Sequence, residues 1–209
     1  MFDRIVQHTY MDTTIEYGII DGEIGCNKIL FIKAGQNGSC YGYKNKYLKI
    51  SERCKEKYGC TVITSSNPFN GGNPLDDAIE VIELQCSERN LWCSEAEIYY
   101  MGLSNGAIIG AWYAYRYQNI KRMMLVNMPI DVSHWHYTKS GIEKYLLGGN
   151  GLEIVYGEYD PSCQYIDLIK DISTDIGTHV ILGEDHNFTF RMEDFLSLPE
   201  KYLLGRNAV

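Results

Sequence analysis

The sequence predicts an α/β protein, a three-layer αβα sandwich whose mostly parallel sheet carries antiparallel strands at its N-terminal edge. Three observations predict it. Short apolar runs rich in β-branched and aromatic residues recur with little polar alternation, as suits strands buried on both faces. Segments of helical spacing separate them. The first thirty residues differ, reading as two extended runs around one tight turn.

Taken in order, Ile5–Thr9 and Thr14–Ile20 flank the turn Tyr10-Met11-Asp12-Thr13 and give the antiparallel pair. The buried strands follow at Ile29–Ile32, Thr61–Thr64, Ile98–Met101, Met123–Val126, Leu152–Tyr156 and Val180–Leu182. Lys44–Lys57 sets Tyr47, Leu48, Ile50 and Cys54 among charges, as an amphipathic helix does. Leu75–Cys86 follows Asn73-Pro74, a cap residue and a proline at the first helical position. Gly106–Gln118, Lys139–Leu147 and Cys163–Ile172 complete the alternation. A last helix spans about Arg191–Leu204, with Pro199 bending or splitting it.

The chain has 209 residues, 45% hydrophobic and 22% charged, which suits one well-filled core and a single domain over 1–209 without a separate cap. A net charge of −8 argues against nucleic acid or an anionic membrane as partner. No apolar run approaches the ~20 residues of a membrane span, and the N-terminus lacks the pattern of a signal peptide. Seven scattered cysteines, without a C-x-x-C, read as reduced thiols of a cytoplasmic protein.

Chemistry concentrates at Gly102-Leu103-Ser104-Asn105-Gly106, between the run ending at Met101 and a small-residue helix. With 20 glycines in the chain, the pattern G-x-S-x-G is weak by itself. Its setting gives it weight: a serine on a sharp strand-to-helix turn needs neighbours nearly free of side chain two residues before and after. Gly102 and Gly106 meet that need.

Here the sequence resembles the α/β-hydrolase superfamily through its nucleophile elbow. The resemblance implies an order of serine, acid, histidine, with the acid after a later strand and the histidine after the last. Asp160, in Gly157-Glu158-Tyr159-Asp160-Pro161, matches the acid; His186, in Gly183-Glu184-Asp185-His186, matches the histidine. Asp131 is the rival acid, one strand earlier. The resemblance places oxyanion donors at the N–H of Asn105 and in the loop Lys33–Ser39. There Ala34-Gly35 stands where many relatives have His-Gly, and Gln36 becomes the second donor.

Gly35, Phe69 and Trp135 are the candidate substrate contacts. Phe69 lies in the Ser65–Pro74 loop, and Trp135 in Ser133–Tyr137, an expected aromatic flap over the site. His134 and His136 lack the third ligand that a metal site needs. No metal or cofactor is implied, and the expected partner is a small-molecule acyl substrate, with the chain a monomer or homodimer. The expectation is a lidless carboxylesterase or thioesterase. Amidase or peptidase, acyltransferase, or a non-catalytic binding protein of this fold are the alternatives.

Overall fold

A computed structural model of the chain describes residues 1–68, 74–88 and 96–205. Among the described residues the strands are β1 (Arg4–Tyr10), β2 (Thr13–Ile20), β3 (Lys28–Lys33), β4 (Thr61–Ser65), β5 (Glu97–Leu103), β6 (Ile120–Val126), β7 (Gly151–Gly157) and β8 (Gly177–Ile181). The helices are α1 (Lys46–Tyr58), α2 (Pro74–Glu88), α3 (Asn105–Tyr113), α4 (Trp135–Leu147), α5 (Ile166–Lys170) and α6 (Met192–Leu198).

The strands form one sheet in the order β1-β2-β4-β3-β5-β6-β7-β8. β1, β2 and β4 pair antiparallel, and every pair from β4 through β8 is parallel. Met11 and Asp12 close the first hairpin with φ of 46° and 61°. Two left-handed residues give the turn whose twist matches that of the flanking strands.

Alternation along each strand divides the core. Ile29, Phe31, Ile98, Tyr100, Met123 and Leu125 point to one face, where α2, α3, α4 and α5 supply Leu75, Ala107, Ile142 and Ile169. Leu30, Ile32, Met101, Met124 and Val126 point to the other, under Tyr47, Ile50 and Cys54 of α1 and Phe195 of α6. This is the expected three-layer sandwich with its antiparallel edge.

Several boundaries move. α4 starts at Trp135, four residues before the expected helix, and β8 is Gly177–Ile181 rather than Val180–Leu182. The segment read as one helix over Cys163–Ile172 is a 3-10 turn at Cys163–Tyr165 followed by the five residues of α5. At Pro199, which has no N–H to donate, α6 passes into a wider π-type helix over Pro199–Leu204.

The site follows from the strand order. β4 lies on one side of β3 and β5 on the other, so the chain reverses its winding there. Ligands of open α/β sheets bind beyond the carboxyl ends of strands at such a point. The loop after β3 and the turn after β5 meet at that edge, with Lys33 opposite Gly102 in the register.

Cys26, Cys40, Cys54, Cys60, Cys86 and Cys163 are free thiols; Cys93 lies outside the described residues. Burial pushes the thiols of Cys40 and Cys60 up to about 11 and about 12. They pack as small apolar side chains and are poor nucleophiles.

Candidate active site

Ser104 sits at φ 54° and ψ −118°, immediately before α3. A side chain in that region costs on the order of 1–3 kcal/mol, so the surroundings must hold it there. They do so through close backbone contact. A Cβ on Gly102 would lie 2.6 Å from the Gly106 carbonyl oxygen, and one on Gly106 would lie 2.4 Å from that of Lys33. Farther along α3, a Cβ on Gly110 would meet the Tyr100 ring at 2.5 Å. The Tyr100 hydroxyl donates to the Gly106 carbonyl at 2.5 Å and holds the first turn of the helix to β5.

His186, on the loop after β8, places Nε2 2.9 Å from Ser104 Oγ. Its Nδ1 lies 2.5 Å from Asp160 Oδ2. The Asp160 carboxylate is almost wholly buried, while the imidazole is about one-third exposed, with relative side-chain exposures of 1% and 36%. Asp160 Oδ1 also accepts the Ser162 N–H at 2.7 Å. That bond fixes the carboxylate in an Asx turn and leaves Oδ2 for the ring. An imidazole so held can take the Ser104 proton while its other nitrogen donates to the carboxylate. Ser104, Asp160 and His186 thus come together from three loops at one edge of the sheet.

Neighbouring groups brace the histidine loop. Asp185 turns away from the ring and accepts the N–H groups of Asn187 and Thr189 at 3.0 and 2.9 Å. Lys46 Nζ, whose pKa burial lowers to about 8, donates to the Asn187 carbonyl at 3.4 Å. Asp131, the rival acid, accepts instead from Ser133 and lies 2.7 Å from His134 Nδ1. Those bonds hold its carboxyl down at about 2.

The loop after β3 packs against Ser104. A Cβ on Gly35 would stand 3.3 Å from Ser104 Cβ and 3.8 Å from its Oγ, so a side chain there would crowd the serine. Most N–H groups of this loop are committed. Ala34 donates to Ser65, Asn37 to Asn67 and Gly38 to Gly35, at 3.3, 2.8 and 2.9 Å. Between Ala34 and Gly38, the N–H groups of Gly35 and Gln36 donate to no backbone carbonyl among the described residues. The Asn105 N–H, in the first turn of α3, likewise donates to none.

Trp135 opens α4 and packs half-buried on the core. Its neighbours His134 and Tyr137 line a groove of about 360 Å³ together with Trp112, Arg116 and Lys144. Ser104, Asp160 and His186 are absent from that lining. Phe69 lies outside the described residues. Among the described residues no three His, Cys, Asp or Glu side chains gather as metal ligands.

Sequence reading gave no role to Lys33, which the structure buries completely beside the β3 loop. Its Nζ donates to Ser65 Oγ at 2.9 Å and to the Ser66 carbonyl at 3.0 Å. Burial lowers its pKa to about 7, against the opposing pull of Asp77. The folded value lies below the unfolded one, so between them the unfolded chain binds more protons and stability rises with pH. Lys33→Met should therefore gain most on the native chain near neutral pH and below. Its advantage should narrow by roughly 2 kcal/mol between about pH 6 and about pH 9 in urea unfolding. Parallel curves for the two proteins would contradict it.

No family model matches the sequence, and no curated protein matches it. Solved structures do. An α/β serine hydrolase homologue from Coxiella burnetii is 17% identical with a TM-score of 0.66, over 95% of this chain and 96% of that one. Dienelactone hydrolase from Anabaena variabilis is 11% identical with a TM-score of 0.69, over 95% of each chain. The chain has the α/β-hydrolase fold. A serine hydrolase without a lid from Xanthomonas campestris shares this α/β-hydrolase fold over 98% of this chain and 96% of its own, at 11% identity and a TM-score of 0.64.

Proposed function

We propose that the chain is a serine hydrolase that cleaves a small to medium carboxylic ester or thioester through an acyl-enzyme. The observation that carries this reading is the continuous chain of contacts from Ser104 Oγ through His186 to Asp160, built on a strained strand-to-helix turn. Ser104 Oγ attacks the acyl carbon as its proton passes to His186 Nε2. The tetrahedral oxyanion is met by the N–H groups of Asn105 and Gln36. Collapse expels the alcohol or thiol, which takes the proton back from His186. Water, deprotonated by the same nitrogen, then releases the acid and restores Ser104. Asp160 holds the ring and stabilises its charged form.

Size follows from the segment between β6 and β7. Between β6 and β7 the chain places a 3-10 turn and α4, and α4 packs on α3. Trp112 Nε1 donates to Thr138 Oγ1 at 2.9 Å, and a Cβ on Gly141 would stand 2.1 Å from the Ala111 carbonyl oxygen. A segment so committed does not enclose a long acyl chain, and binding a ligand well requires burying most of it. The reading is a single domain without a cap, acting on a small acyl substrate. No helix of the described residues is long and apolar enough to cross a membrane, and the free thiols support a reducing compartment such as the cytoplasm.

A fluorophosphonate probe tests the reading directly. It should add covalently to Ser104 in the native chain, and labelling should vanish in Ser104→Ala and slow by orders of magnitude in His186→Ala. Native protein that stays unlabelled would favour a non-catalytic binding protein instead.

A further inference from the structure

Two buried asparagines flank the site. Asn67 lies two residues beyond β4, and Asn127 directly follows β6, at relative exposures of 3% and 0%. A buried amide must find partners, and these partners are groups of the site.

The Asn67 side chain donates to the Ala34 carbonyl at 2.9 Å and to Asn105 Oδ1 at 3.0 Å. Its backbone N–H donates to the Gly38 carbonyl at 2.9 Å, and its own carbonyl accepts the Asn37 N–H at 2.8 Å. One residue thus grips the loop that carries Gln36 at three points and also the residue after the nucleophile. Asn127 does the same for the other half. Its side-chain N–H₂ donates to the carbonyls of His186 and Asp185 at 2.8 and 3.2 Å. Its Oδ1 accepts the Gly157 N–H at 2.8 Å, and the Gly157 carbonyl accepts the N–H of Asp160. A φ of 47° aims that side chain, a conformation asparagine tolerates better than most residues.

We propose that Asn67 and Asn127 are paired positioning residues, Asn67 aligning the two oxyanion donors and Asn127 aligning His186 with Asp160. The proposal rests on the serine-hydrolase reading above. Oxyanion donors and a general base act only when held within about half an ångström of their working places. A misplacement near 1 Å costs on the order of a hundredfold in rate. The side-chain N–H₂ groups of both are spent on Ala34, Asn105, Asp185 and His186, so their loss falls on kcat and leaves KM in place.

The test compares Asn67→Ala and Asn127→Gly with the native chain on a short-chain p-nitrophenyl ester. Glycine keeps the positive φ at 127 and removes only the side chain. Both variants should lose roughly tenfold to a hundredfold in kcat with KM within about twofold. The low-field proton resonance of the His186–Asp160 hydrogen bond separates them: it should persist in Asn67→Ala and shift or broaden in Asn127→Gly. If either variant fails to fold, Asn67→Ser or Asn127→Asp takes its place. A folded variant with native kcat, or one whose loss lies wholly in KM, overturns the proposal. If Ser104→Ala keeps full activity, the hydrolase reading fails; if Ser104→Ala is inactive while both asparagine variants work normally, only the positioning proposal fails.

Discussion

Asp160→Asn should lower kcat by roughly four orders of magnitude with a much smaller effect on stability. The carboxylate accepts from His186 Nδ1 at 2.5 Å, so the ring presents an unprotonated Nε2 to Ser104 Oγ. An amide at 160 can offer an N–H₂ at that point. It would favour the other tautomer, in which Nε2 carries the hydrogen and cannot take the serine proton. The bond from Ser162 N–H to the other oxygen survives if the amide oxygen takes that side. Asp131→Asn is the control. Asp131 is exposed and bonds to Ser133 and His134, with no contact to His186, so its variant should stay near native activity. Saturation kinetics on one ester, with thermal unfolding of each protein, decide the matter. The reverse pattern would move the acid to the strand before.

The fold was legible because its signals are local. Residues 97–110 alone contain a buried strand, three glycines at the spacing a tight crossing requires, and a serine between two of them. The acid and histidine followed from the resemblance and from the turns after the last two strands. Where periodicity is broken by polar or aromatic residues, the boundaries moved. Ser133–Tyr137 has no apolar face, yet the first turn of α4 forms inside it because Trp135 finds the core.

Other parts were illegible for a physical reason. Lys33 at the end of a strand looks like a solvated side chain, yet it is wholly buried, with its Nζ bonded to Ser65 and Ser66 beyond the neighbouring strand. Asn67 and Asn105 are 38 residues apart, and Asn127 and His186 are 59 apart. An asparagine after a strand carries no periodic mark of the partner it will meet. The groove between α3 and α4 arises in the same way, from tyrosines and cations brought together by helix packing. The sequence pattern could single out Ser104 as a candidate; it could not show what holds the surrounding loops in place.

The second large effect concerns a backbone group, so side-chain truncation should miss it. Gln36→Ala should retain most of the activity, because alanine keeps the N–H, whereas Gln36→Pro removes it. Loss of one oxyanion donor costs about 3–4 kcal/mol, a factor of roughly 10² to 10³ in kcat. The choice of position 36 rests on its neighbours: the N–H groups of Ala34, Asn37 and Gly38 are taken by carbonyls, and of the two that remain, Gly35 and Gln36, the resemblance to α/β-hydrolases points to Gln36. Proline demands a φ near −65° and narrows the choices of Gly35 before it, so unfolding midpoints must accompany the rates. Alanine at 36 with a hundredfold loss would mean that the glutamine side chain takes part. Proline with native kcat would take position 36 out of the oxyanion hole. A covalent phosphonate complex gives the geometric check. Its phosphoryl oxygen should lie about 3 Å from both the Asn105 and Gln36 nitrogens, and an oxygen facing Gly35 or Asn37 instead would reassign the donor while leaving Ser104 and His186 in their roles.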